Sequence, residues 1–246
     1  MIYLIFVIGL MLGSFMGVIV KRLEKPKTII AKPSHCEFCQ RNLKPIDLIP
    51  LVSFAVNLGK CRYCHKKIGW FYPAVELNVA LALAINYQVV FARTQNIWAV
   101  IFSSIIVFCL VLAIWTDIKY MVIPDTVTSC ILASALVLFF TFNFNFNQFL
   151  GAIIGSGFLA IMALAGRGKW MGWGDVKIML GIGLWLGYPL IISQLLVSFM
   201  LGGFISALLL AFKIKKIKDI IPFGPFLIIA TLIIYWLNFS IIKLWF

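Results

Sequence analysis

Asp117, in "IWTDIKYMVIPD", and Asp175, in "GWGDVK", each stand at the edge of a long apolar run. A carboxylate inside such a run is unfavourable by about 2.5–3.5 kcal/mol on insertion scales, which makes it a functional candidate by default. Two carboxyls about 3 Å apart cannot both ionise; one keeps a proton while the other activates a water, the chemistry of an aspartyl protease. Gly172 and Gly174 strip side chains from the approach to Asp175, so that an extended chain or a neighbouring helix can come close. A second reading stays open at this stage: Asp175, ahead of "VKIML", can serve as a helix cap with no chemistry at all.

The other reactive set is "CEFC" and "CRYC", Cys36, Cys39, Cys61 and Cys64, two residues inside each pair and 21 between the pairs. Two such turns close a tetrahedral four-sulfur site, and this spacing points to structural zinc, with redox pairs or an iron-sulfur site as the alternatives; a disulfide framework is disfavoured for a loop placed in the reducing cytosol. With four protein ligands the metal has no open position, so it folds its loop rather than taking part in a reaction. His35 and His65 flank the outer cysteines as neighbours or as substitute ligands. Cys109 and Cys130 stand alone in apolar runs, where packing is the default.

These groups must be positioned by membrane helices. Of the 246 residues 63% are hydrophobic and 12% charged, with mean hydropathy +1.07, against about half and a quarter in soluble domains. The expected fold class is an all-α polytopic membrane protein of about eight transmembrane helices with a small cytosolic four-cysteine loop. The spans run roughly 2–20, 73–92, 97–115, 126–142, 149–165, 176–187, 189–212 and 222–239. The domain reading is a first span at 1–20, the cysteine loop at 21–72 and a catalytic membrane domain at 73–246. Apolar length without a preceding basic flank marks the first span as uncleaved.

Eight spans place 19 of the 21 Lys and Arg on one side, leaving Arg93 and Lys243 opposite. That side is read as cytosolic, with both termini extracytoplasmic, and both aspartates then lie at the cytosolic face. The net charge of +13 is mostly this topological signal and suits anionic lipid head groups. It does not suggest nucleic acid, for there is no basic domain or aromatic platform. Glu24, Glu37, Asp47 and Asp219 fall in hydrated basic loops as solvated partners. Asp125 follows Ile123-Pro124 and reads as the cap of the fourth span, with an accessory role open to it. Lys119 and Lys177 read as surface anchors. Glycines in "GLMLGSFMG", "GAIIGSG" and "LGGF" are sites of close helix packing. The break at "PFGPF", 222–226, is expected to border the acids, since irregular backbone in a membrane needs protein or water beside it.

In order along the chain, "GSFMGVIVKRL" (13–23), "HCEFC", "GKCRYCHKKIGWFYPAVE", "TDIKYMVIPD" and "GWGDVK" resemble the motifs of bacterial type IV prepilin peptidases, the GxGD membrane aspartyl proteases. The resemblance implies Asp117 and Asp175 as the catalytic pair, cutting a short basic leader from prepilins or pseudopilins just before their hydrophobic N-terminal helix. It also implies N-methylation of the new terminus with S-adenosylmethionine, associated with the cysteine loop and with Glu76 in "YPAVE". Glu37, where the family often has proline, and Gly17, where it often has asparagine, are departures that bear on methylation. No glycine-rich nucleotide fingerprint is present, so the residues that would hold the cofactor are unassigned. The competing function class is a metal-binding membrane scaffold or ion-coupled transporter with the two acids along an ion path.

Overall fold

The computed structural model describes residues 1–24, 33–142, 145–168, 170–216 and 219–240. Lys243, parts of the cysteine loop and of the asparagine-rich 140–149 turn, and Lys169 lie outside them. The described residues are almost wholly helical, with no strand among them beyond two isolated bridges. They form two compact units, Met1–Gln88 and Val89–Phe246.

In the first unit, α1 (Ile2–Lys21) packs on the start of α3 (Phe71–Thr94). The contact depends on missing side chains. A β-carbon on Gly9 would lie 2.6 Å from the Ala80 Cα, and one on Gly13 2.6 Å from the Glu76 Cα. Close backbone approach of this kind is how membrane helices gain dispersion energy without a hydrophobic driving force. Between the two helices the chain makes a 3-10 turn, Pro45–Leu48, a five-residue helix α2 (Val52–Val56), and the two cysteine turns.

The second unit contains α4 (Ile97–Tyr120), α5 (Asp125–Phe142), α6 (Phe146–Ala165), α7 (Trp173–Leu186), α8 (Leu190–Ala211) and α9 (Gly224–Leu237). Six helices of the chain, α1, α3, α4, α5, α6 and α8, are long and apolar enough to cross a bilayer. The sixth and eighth expected spans are present as shorter helices. α7 and α9 have 14 residues each, about 21 Å, less than the ~30 Å of a hydrocarbon core. Helices this short are held by their neighbours, and from Ile178 onward α7 is apolar on every side and buried except at Leu180, as a helix enclosed by others must be. Gly181 meets Ile131 of α5, where a β-carbon would come within 2.8 Å of Cγ2. Gly183 meets the Gly151 carbonyl of α6, where it would come within 2.5 Å.

The expected packing role of the glycines holds for Gly151 and Gly155 but not for Gly157 or Gly203, whose missing side chains would meet nothing within 4 Å. α9 packs against α4, α7 and α8. Gln194, fully buried on α8, donates from Nε2 to the Leu227 carbonyl (3.0 Å) and to Thr231 Oγ1 (3.2 Å) of α9. An amide in this position ties the two helices where lipid offers no competing partner.

Candidate active site and metal centre

Asp117 is three residues from the end of α4, whose last turn closes when the Met121 amide donates to the Asp117 carbonyl (2.8 Å). Met121 is left-handed (φ 54), and Ile123-Pro124 then turns the chain into α5. Asp175 lies in the first turn of α7. Gly172 is the N-cap and offers no side chain, so Asp175 is not the cap residue itself. It sits three positions on, where a carboxylate reaches back to the N-cap amide, and the Gly172 amide meets it there. The cap reading and the catalytic reading of Asp175 therefore describe different oxygens. Oδ2 is near Gly172, 3.3 Å from where a β-carbon of that residue would be, whereas Oδ1 is buried with no hydrogen-bond partner among the described residues.

The two carboxyls converge on Gly224. A β-carbon there would lie 2.5 Å from Asp117 Oδ2 and 3.4 Å from Asp175 Oδ1, so these oxygens can be no farther apart than the sum of the two lengths. The Gly224 amide, at the start of α9, is directed at the Asp117 carboxyl. Both acids are nearly enclosed, at 7% and 8% exposure. Three helices thus deliver two carboxyls and one bare backbone unit to a single point, and "PFGPF" borders the acids as expected. Gly174 is the other close approach: a β-carbon there would be 3.3 Å from Ile123 Cβ.

Asp125, expected as the cap of the fourth span, is instead the first residue of α5, and its carboxylate, 75% exposed, accepts from Lys177 Nζ at 2.6 Å. Lys177, read from sequence as a surface anchor, is thereby a partner for Asp125. Nothing in either local sequence could have announced the pair. The site residue the sequence did not single out is Gly224, for which the proline-flanked break was the only signal.

In the first unit the four cysteine sulfurs lie within 4.8 Å of one another, with Cys36 and Cys64 Sγ at 3.9 Å. Each pair sits on a tight turn. The Gln40 amide donates to the Cys36 carbonyl (3.0 Å) and the His65 amide to that of Cys61 (2.9 Å), with Gln40 and His65 both left-handed. His35 and His65 are not among the converging ligands. A backbone contact from Lys66 favours the Cys64 thiolate, but burial and the crowding of Cys61, Cys39 and Cys36 outweigh it and push the thiol up to about 11. Sulfurs gathered this closely, all unbridged, suit a tetrahedral cation. Asp47 braces the loop: it accepts from Tyr63 (2.8 Å) and the Lys44 amide (3.1 Å) and pairs with Arg62. Burial pushes its pKa up, but these bonds together outweigh that and hold it below the usual range. Glu76, one turn into α3, accepts from the Leu51 amide at 2.9 Å, and the Ser14 hydroxyl reaches the same carboxyl.

Residues 7–90 match the bacterial peptidase A24 N-terminal domain, and residues 104–207 match the type IV leader peptidase family. A prepilin leader peptidase/N-methyltransferase of Bacillus subtilis (strain 168) is 32% identical over 247 residues, covering 99% of this chain and 97% of that protein. The chain belongs to the type IV leader peptidase family. Members bearing the same name from Aeromonas hydrophila and Pseudomonas aeruginosa are each 29% identical over 259 residues, covering 92% and 91% of this chain. Family membership and the six long apolar helices make it a multi-pass membrane protein. No solved structure matches the chain.

Proposed function

We propose that this chain is a prepilin leader peptidase in which Asp117 and Asp175 are the catalytic pair. The observation that carries the reading is the meeting of two nearly enclosed carboxyls, from α4 and α7, across the bare backbone of Gly224. A water between them gives its proton to the unprotonated carboxyl as its oxygen attacks the scissile carbonyl. The other carboxyl donates its proton to the carbonyl oxygen. Collapse of the tetrahedral intermediate then returns a proton to the leaving amine, and the pair is reset. The enclosure of both acids keeps the surroundings low in dielectric, where a positioned proton donor is worth most. The substrate class is prepilins or pseudopilins with a short basic leader, presented at the face where both acids open. In the topology read from Lys and Arg that face is cytosolic and both termini are outside.

The four cysteines fit zinc by number, softness and mutual distance, and Cys36, Cys39, Cys61 and Cys64 would hold it. When bound it supplies structure only, because no coordination position is left for substrate. The relatives' double name extends the proposal to N-methylation of the new N-terminus. The described residues include no strand-turn-helix unit, and a hollow beside the cysteines is edged by Lys60 and Arg62, whose charges oppose a sulfonium cation. No methyl-transfer step is assigned to a residue.

The test is cleavage of a prepilin by the protein in membranes, read by product mass. Wild type should cut, and Asp117→Asn and Asp175→Asn should each abolish cutting. Retained cleavage in both variants would remove the dyad and return Asp175 to a role at the start of α7.

A further inference from the structure

The segment between α1 and α3 is polar by composition, yet several of its large apolar side chains are bare. Val52 is 54% exposed, Val56 75%, Leu58 84% and Trp70 77%. A domain in water would cover such residues or scatter them singly. Here Val52 and Val56 are four residues apart on α2, hence on one face. Val56 and Leu58 also line one hollow of about 320 Å³ together with Lys60, Arg62 and His65.

The depth of this face follows from a hydrogen bond. Leu51, the residue on which α2 begins, donates its amide to Glu76 Oε2 at 2.9 Å. Glu76 is about 8 Å along α3 from Phe71 at 1.5 Å per residue. α3 has 24 residues, about 36 Å, against a hydrocarbon core of ~30 Å, so about 6 Å is spare. Even if the whole excess projected at the Phe71 end, Glu76 would lie at or inside the edge of the hydrocarbon, and tilt only draws more of the helix in. Leu51 is therefore at the same depth. An amide there has no water to bond, and a carboxyl in the span has few donors, so each is the other's partner.

We propose that the segment from Ile49 to Leu58 is seated in the bilayer interface. Its bare apolar residues enter the acyl boundary, and Lys60, Arg62 and His65 ring the anionic head groups of phospholipids. Apolar residues backed by a basic rim are the signature of an interfacial segment. Trp70, its ring tilted 55° against that of Phe54 with centroids 5.1 Å apart, sits at the mouth of α3 where aromatic rings mark a membrane boundary. The inference concerns the resting protein and stands whether or not the dyad is catalytic.

The full-length protein is placed in lipid nanodiscs, one chain per disc, with a genetically encoded fluorescent residue at position 58, at position 56 as a second site, or at Phe15 of α1 as a lipid-facing reference. Lipid-borne bromine should quench positions 56 and 58 as it does position 15, and aqueous iodide should not. Discs of phosphatidylcholine alone, or Lys60→Glu in discs containing phosphatidylglycerol, should lose much of the bromine quenching at position 58. Quenching by iodide with none by bromine at both positions would overturn the proposal. So would protection that arises only in discs holding two chains, which would give the face to a second copy. Bromine quenching unaffected by lipid charge would overturn the assignment of the basic rim.

Discussion

Gly224→Ala is the substitution that most directly interrogates the convergence of Asp117 and Asp175. The added β-carbon would lie 2.5 Å from Asp117 Oδ2 and 3.2 Å from its Cγ, where ordinary contact begins at 3.4 Å. Either the carboxyl or the start of α9 must therefore move by roughly 1 Å, and a displacement of that size at reacting groups costs on the order of 100-fold in rate. In activation terms that is about 2.7 kcal/mol. Gly224 is not in the left-handed region, so alanine adds bulk without backbone strain, and the stability loss should stay within the roughly 1–3 kcal/mol of an overpacked site. The assay is prepilin cleavage by purified protein, with kcat and KM separated and thermal unfolding followed in parallel. kcat should fall while KM changes little, because the clash is with the carboxyls proposed to do the chemistry. Gly203→Ala on α8, where the added carbon meets nothing within 4 Å, is the matched control and should be neutral. A Gly224→Ala enzyme that cuts within twofold of wild type and unfolds at the same temperature would refute the placement of Gly224 between the two acids.

Gln194→Met keeps the length of the side chain but removes both donors to α9; unfolding should become easier by about 1 kcal/mol, and cleavage should slow severalfold as the start of α9 loosens. Lys177→Ala breaks an ion pair whose partners are 53% and 75% exposed, so its effect on cleavage should stay below about threefold and vanish at high salt, as rates at two ionic strengths would show. Chelation, or Cys61→Ser, should remove one metal per chain by native mass spectrometry and open residues 33–68 to proteolysis, since a structural zinc contributes about 10–16 kcal/mol to small metal-folded domains. Acid should weaken the Asp47 brace in a definite direction. Its folded-state pKa is lowered, so the stability it adds is full above the ordinary carboxylate value near 4 and fades as pH falls through the folded value. Tyr63→Phe should therefore lower the stability of the loop at pH 7 and reduce its dependence on pH below about 4, measured by protease susceptibility.

The cysteines and the two aspartates were legible because each violates its surroundings. Paired thiols at fixed spacing have few structural uses, and a carboxylate in an apolar run has fewer. Spans were legible as apolar length, although α7 and α9 are shorter than a bilayer requires, because residues such as Trp185 and Ile234 are hidden against other helices rather than lipid. What could not be read is anything set by rotation between distant helices. Asp125 and Lys177 lie on different helices, and their partnership depends on how α5 meets α7. Glu76 gave no sign that its partner is the Leu51 amide, since a backbone donor carries no sequence signal. Gly224 was legible only as part of a break, because its proximity to both acids follows from the register of α9.

The glycine contact between α6 and α7 also constrains how this chain can change in length. Gly183 touches the Gly151 backbone about 12 Å along α7 from Asp175, leaving no side chain whose adjustment could absorb a shift. Inserting one residue between them turns Asp175 by about 100°, away from Asp117, while Gly183 stays pinned. A substitution at an exposed position between them, such as Lys177, can be tolerated, but Gly181 has no room for a side chain against Ile131, and an insertion or deletion breaks the register. The α7 segment therefore behaves as a fixed-length spacer, and changes in chain length must accumulate elsewhere, in the turns that join the helices.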